Sequence, residues 1–294
     1  MTSDRFGSAG SALLAVAGAA ALFGTTGTAA ALGPDDLSPV TAGVWRSVIG
    51  GVALVVVAVA RGEAPWRYPR RLGTTLLGGV AVAAYQLTFF EAVDRTGVAV
   101  GTLVTIGTGP VVAGILDGVV GRHRPTTQWF VGAGVALAGV VLLSGGGDSV
   151  DAGGLAFAVV AGASFPFYGF AAQRLMEDRP VVPAMASTFG VGALLVLPLA
   201  LSRSAEAFAS AGSVVTILYL GLATLALAFV LWGVGLQQLR LSLVVVVTLL
   251  EPAVASTLAV VVLDEALTLS LVVGILLVGM GVVLASRGAQ VELP

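Results

Sequence analysis

A carboxylate inside an apolar run is the first feature of this 294-residue sequence that demands a chemical reason. Glu251 stands directly before Pro252, about halfway along an apolar segment near 241–263. A charged side chain near a bilayer midplane costs at least about 2.5–3.5 kcal/mol on insertion scales, so such a group is usually functional or paired. Pro252 has no N–H to offer the turn before it, and its ring crowds that turn, which leaves a carbonyl free. A carboxylate beside broken backbone can bind a substrate amine or carry a coupling proton. The structural alternative is a Glu buried against Arg or a water pocket. Arg46 lies about 8 residues into the segment near 38–60, roughly 12 Å deep at 1.5 Å per residue. Its planar fork suits a substrate carboxylate. It can equally pair with Glu251 or a helix carbonyl, or snorkel to the surface. One cation and one anion on a common cavity would suit a zwitterion such as an amino acid.

Aromatic residues supply the candidate walls. Tyr85, Thr88 and Phe89 follow i, i+3, i+4 spacing and share a helix face, with Gln86 beside them. Phe165, Tyr168 and Gly169 repeat the spacing around Pro166, and Trp232 offers another ring. Such stripes line a cavity, or serve as packing and interface anchors. Thr102, Thr105 and Thr108 put hydroxyls on one face before Pro110, although Thr often only bonds its own i−4 carbonyl. Pro110 and Pro252 are expected as paired kinks, hinges between outward-open and inward-open states. Glu91, Asp94, Arg95, Asp117, Asp264 and Glu265 fall at segment ends or in loops and read as solvated or capping groups, with gating as the alternative.

These side chains need apolar helices to position them. Of the residues, 57% are hydrophobic and 10% charged, against about a quarter charged in soluble domains, and mean hydropathy is +1.02. All 14 basic residues are Arg, Cys is absent, and His123 is the single His. Without Lys there is no Schiff base to retinal or pyridoxal, and without Cys no disulfide, thiolate nucleophile or iron–sulfur site. No P-loop motif occurs, and a net charge of −2 gives no case for nucleic acid. No metal or organic cofactor is implied.

Ten segments are each about long enough to span as a helix, near 11–32, 38–60, 72–93, 98–117, 125–144, 155–176, 183–201, 213–236, 241–263 and 269–286. No alternation of the barrel type interrupts them. The first segment, following Arg5, exceeds a signal-peptide core in length and reads as a true span. Arg distribution then sets orientation. Arg5, Arg61, Arg67, Arg70, Arg71, Arg122, Arg124, Arg174, Arg179, Arg240 and Arg287 fall on one side, against Arg95 and Arg203 on the other. Both termini are therefore expected in the cytoplasm, in an inner (cytoplasmic) membrane.

A shift of 142 residues lays Pro110 on Pro252, Phe23 on Phe165, Gly132 on Gly274, Gly139 on Gly281 and Ser144 on Ser286. Five helices per copy is an odd number, so the copies enter the membrane from opposite sides, an inverted repeat. The expected organisation is a cytoplasmic N-terminus at 1–10, repeats at 11–144 and 153–286, an outer linker at 145–152 and a cytoplasmic C-terminus at 287–294. The small-residue faces Gly132/Gly139 and Gly274/Gly281 are expected to pack the fifth helix on the tenth.

In this arrangement the chain resembles the EamA-type branch of the drug/metabolite transporter superfamily. The residues that carry the likeness are Glu251-Pro252 through Leu263-Asp264-Glu265, the Gly-rich segment Gly274 to Gly281, and Trp45-Arg46-Ser47. Where the family pattern has an acid after the fourth helix, this chain has Gly121-Arg122-His123. The resemblance implies an all-α integral membrane protein of ten transmembrane helices in two inverted halves. It also implies a secondary carrier, often outward, that alternately exposes a central cavity. For this chain the favoured cargo is amino acids, aromatic or methionine-like, with Glu251, Arg46, Tyr85, Gln86, Phe89, Phe165, Tyr168, Trp232 and Thr105 forming the site. Drug cations are one alternative. A sugar or nucleotide-sugar carrier should show several basic groups inside helices, where only Arg46 qualifies, and a membrane enzyme or receptor lacks an acid/His cluster. A channel would need a ring of identical groups from several copies, whereas a monomer suffices for a carrier.

Overall fold

Backbone in lipid is satisfied within helices or closed barrels, and among the described residues every regular element is a helix. The computed structural model describes residues 3–68, 71–119, 125–143, 151–264 and 266–290. Expectations for Arg70, Arg122, His123, Arg124, residues 144–150, Glu265 and the extreme termini lie outside the described residues.

The helices are α1 (Ser3–Ala31), α2 (Pro39–Ala60), α3 (Leu72–Gly97), α4 (Val100–Val119), α5 (Thr127–Leu143), α6 (Ala152–Leu175), α7 (Val181–Ser202), α8 (Ala211–Gln238), α9 (Leu241–Val262) and α10 (Leu269–Gln290). Among the described residues nine helices have the length and composition to cross a membrane, and α5, at 17 residues, reaches the lower limit of about 17. This is an all-helical, multi-pass membrane architecture.

Local sequence explains the boundaries. Ser38 caps α2, its hydroxyl accepting from the Thr41 N–H, and Pro39 opens the first turn. Asp151 caps α6 through the Gly154 N–H, and Ser210 caps α8 through the Ser213 N–H. No loop separates α3 from α4. The chain reverses course at Gly97, with φ 79° and ψ 162°, a conformation open to glycine alone at little cost. The two prolines act differently. The helix runs on through Pro110, whereas α9 is interrupted at Leu249, three residues before Pro252. There the Leu249 N–H reaches back only to the Val246 carbonyl. A third irregularity was not expected: Leu222–Leu227 in α8 winds as a π-helix.

The halves interlock. α1 packs on α8 and α9, while α6 packs on α3 and α4, so the first helix of each half completes the other. α2 packs on α7 and α5 on α10. Every one of these pairings maps onto itself or its counterpart under the 142-residue shift. Glycines permit the approach: a Cβ at Gly24 would lie 2.8 Å from the Glu251 carbonyl, and one at Gly162 would lie 2.3 Å from the Thr105 carbonyl. In α5 and α10 a Cβ at Gly139 would meet the Gly274 carbonyl at 2.6 Å, and one at Gly281 would meet the Ala136 nitrogen at 2.4 Å. Backbone cannot rotate away as a side chain can. Gly139→Val is therefore expected to destabilise the protein by about 1–3 kcal/mol, read as a lower melting temperature in detergent. Gly134→Ala, with nothing within 4 Å of its added carbon, should not lower the melting temperature, since alanine is the better helix former.

Loops tie the α2–α7 pair at both ends. In the α7–α8 connection, Glu206 accepts from the Ser38 N–H and the Thr41 hydroxyl. Burial opposes ionisation of Glu206, but those hydrogen bonds and Arg203 outweigh it and hold its carboxyl below the usual carboxylate range. At the other end Arg71 donates to Asp178, Glu177 and the Arg174 carbonyl, and Arg179 donates to the Tyr68 carbonyl. A lowered folded-state pKa stabilises the fold above the unfolded value of about 4.3, and that stability is lost as pH falls through the lowered pKa. Wild type is thus expected to melt above Glu206→Gln at neutral pH, with the gap closing in acid below about pH 4; a gap independent of pH would contradict this.

Candidate substrate site

Six of the residues singled out from sequence line one cavity: Arg46 from α2, Tyr85 and Gln86 from α3, Phe165 and Tyr168 from α6, and Glu251 from α9. A second cavity, toward α4 and the start of α9, is lined by Tyr85, Phe165 and Glu251 again, with Thr105, Gly109, Val245 and Thr248. Tyr85, Phe165 and Glu251 therefore form the septum between the two. Each cavity has about 50 Å³ of water-accessible volume, room for a few water molecules, well below the 300–1,000 Å³ usual for a small-molecule pocket. Admitting a metabolite requires the aromatic wall to move.

The polar groups are held differently. The Arg46 Nη2 donates to the Thr224 carbonyl at 2.8 Å, inside the π-helical stretch of α8. A π-turn shifts the backbone ladder and is common at functional sites. The Arg46 Nε is buried with no partner among the described residues. Arg46 and Glu251 share the cavity wall without forming an ion pair within 4 Å among the described residues. Gln86 is anchored by its amide on the Gly43 carbonyl at 2.8 Å, and the Ser47 hydroxyl donates to the same oxygen at 3.1 Å. Thr105 spends its hydroxyl on the Ala158 carbonyl at 3.2 Å, and Thr108 bonds the Val104 carbonyl at i−4.

The rings form one cluster. Tyr85 stacks on Phe89 at 5.8 Å between centroids and meets Phe165 and Tyr168 at 6.3 Å each. Phe165 meets Tyr168 edge-on at 5.1 Å. Phe89 supports Tyr85 from outside the cavity lining. Trp232, fully buried, lies behind Phe165 at 5.5 Å and donates its indole N–H to the Thr248 hydroxyl at 3.1 Å, beside the break in α9. Neither Pro110 nor Pro252 lines either cavity. Phe23, Phe189 and Phe229, absent from the sequence-based set, line the first cavity. Phe23 carried a signal, its place opposite Phe165 in the repeat, and Phe229 sits three residues before Trp232 on the same face. Phe189, a single ring between Thr188 and Gly190 in α7, carried none.

Among known proteins, the chain belongs to the EamA-like transporter family, whose pattern matches residues 10–145 and again 152–287. It is 35% identical over 277 residues to the Uncharacterized transporter YwfM of Bacillus subtilis, covering 92% of each chain. It is 28% identical over 222 residues to a Probable terminal-alkyne amino-acid exporter of Streptantibioticus cattleyicolor, covering 73% of each. A solved crystal structure superposes with a TM-score of 0.82 at 22% identity, over 97% of this chain and 99% of the other, a likeness of fold. The protein is a transporter of this type.

The Trp232–Thr248 bond is testable as a stability element. Trp232→Phe and Thr248→Val are each expected to destabilise by about 1 kcal/mol through the lost hydrogen bond, and the double variant by less than their sum. Additive losses in thermal unfolding would show that the bond contributes nothing.

Proposed function

We propose that the protein exports amino acids with aromatic or methionine-like side chains by alternating access of the central site. The observation that carries this reading is that Arg46 and Glu251 face one ring-lined cavity without neutralising each other. A zwitterion fits between them: its carboxylate on the guanidinium, whose Nε has no partner among the described residues, and its ammonium on Glu251. Its side chain then lies among Tyr85, Phe165, Tyr168 and Phe229, ring against ring or sulfur against ring. The family and the amino-acid exporter named among the relatives are consistent with this cargo.

Glu251 is the carboxylate among the three residues that border both cavities, and in this reading it exchanges the substrate ammonium for a proton as access alternates. The break at Leu249 beside Pro252 is the hinge for that exchange, while Pro110, its counterpart in the repeat, sits in a helix that runs on through it. The Arg-rich end faces the cytoplasm, both termini lie there, and the membrane is the cytoplasmic one. One copy of the chain suffices, since both charges and the rings come from it.

Counterflow of labelled phenylalanine, tryptophan and methionine in proteoliposomes, with and without a pH gradient, tests the reading. Wild type is expected to exchange these saturably and to respond to the gradient. Glu251→Gln should retain some exchange while losing the pH response, and Arg46→Gln should raise the half-saturating concentration by tenfold or more, as a lost charge-assisted pair of about 1.5–3 kcal/mol requires. Exchange of drug cations or sugars without amino acids would refute the cargo, and an unaltered pH response in Glu251→Gln would refute the coupling role.

A further inference from the structure

A space roomier than either central cavity lies away from the substrate site. A groove with about 480 Å³ of water-accessible volume, nearly tenfold that of either central cavity, runs between α2, α3 and α7 at the Arg-rich end. Its walls are Val55 of α2, Thr75 of α3, Val191 and Leu194 of α7, and Trp66 and Tyr68 of the α2–α3 loop. Leu194 and Trp66 are each 67% exposed, so the groove opens on the flank of a membrane-spanning bundle, where the solvent is lipid. Aromatic residues of the kind found at membrane–water boundaries close its outer end.

The charges around it are divided. Arg179 borders the groove, but its nitrogens are committed to Asp178, Ser187 and the Tyr68 carbonyl, and its guanidinium lies over the Tyr68 ring at 4.9 Å. Arg71 is likewise held by Glu177 and Asp178. Among the described arginines of the α2–α3 loop, Arg61 and Arg67 remain. Arg67 folds back onto the Gly62 carbonyl, which brings it to the turn that carries Arg61. Arg61 is 60% exposed, and Glu63 at 3.5 Å is its partner, so with Arg67 this corner keeps an excess of positive charge on the loop that carries Trp66 and Tyr68, residue types common at membrane–water boundaries.

We propose that this groove seats one acyl chain of an anionic phospholipid whose headgroup phosphate rests against Arg61 and Arg67. Apolar walls account for the chain, and the uncompensated cation accounts for the choice of headgroup. The bound lipid fills the space between α2 and α7 and holds the loop of residues 61–68 against the bundle. It binds independently of the cargo, so its test does not depend on the transport reading.

Trp66 provides the reporter. Wild type and Trp66→Phe are reconstituted in phosphatidylcholine vesicles containing increasing fractions of brominated phosphatidylglycerol or brominated phosphatidylcholine, and the difference between the two proteins isolates quenching at Trp66. Quenching is expected to half-saturate at a several-fold lower fraction of phosphatidylglycerol than of phosphatidylcholine. Arg61→Gln with Arg67→Gln should remove that preference, at up to about fivefold per arginine, and salt should weaken it in wild type. Thr75→Phe narrows the groove without touching the charges and should also reduce the preference. Equal quenching by the two lipids overturns the proposal. So does quenching by neither, as when a second copy covers the groove, and so does a preference that survives Thr75→Phe, since the headgroup would then be held without a seated chain.

Discussion

A guanidinium at membrane depth must find acceptors inside the protein, and satisfying Arg46 constrains much of the surrounding structure. Its acceptor is the Thr224 carbonyl, in the π-helical stretch of α8. To bring that turn within reach, α2 and α8 must approach closely. They do so through Gly50 and Gly221: a Cβ on Gly50 would lie 2.8 Å from the Gly221 carbonyl, and one on Gly221 3.2 Å from the Gly50 nitrogen. One buried cation thus connects a distortion of backbone, a small-residue crossing and the wall of the central cavity.

The scaffold is symmetric and its chemistry is not. The crossings of α1 on α8 and α9 and of α6 on α3 and α4 are counterparts, as are the two faces of the α5–α10 contact. Yet the 142-residue shift places Gly109 opposite Glu251 and Thr188 opposite Arg46. Gly109 lines the second cavity, so the space that one half fills with a carboxylate the other leaves open. Two similar halves suit a carrier whose two states are near-mirror arrangements, while single copies of the anion and cation allow one site with one polarity.

The interlocking of the halves also bears on folding and movement. Because α1 completes the second half and α6 the first, neither half buries its apolar surface alone. The α2–α7 pair is tied at one end by Glu206 on Ser38 and Thr41, and at the other by Arg71 and Arg179 on their partners. Such a tied pair is suited to move as a body. The break at Leu249 and the turn at Gly97 are the places where backbone is already released from the regular ladder.

What the sequence determined is the architecture. Hydropathy forces helices because lipid offers the backbone no partner, and the Gly132/Gly139 and Gly274/Gly281 spacing marks the α5–α10 contact because only glycines allow backbones to meet. That Glu251 and Arg46 border one cavity with Tyr85, Phe165 and Tyr168 was also legible, since charged groups and aromatic stripes stand out against apolar helices. The tertiary structure decided the rest. It set the π-turn at Leu222–Leu227, where the apolar sequence shows no irregularity, and the unequal behaviour of Pro110 and Pro252, which share a motif but not a neighbourhood. It brought Phe189 and Phe229 to the cavity, because one ring in an apolar helix reads the same facing lipid, core or substrate, and only the packing of neighbouring helices distinguishes the three.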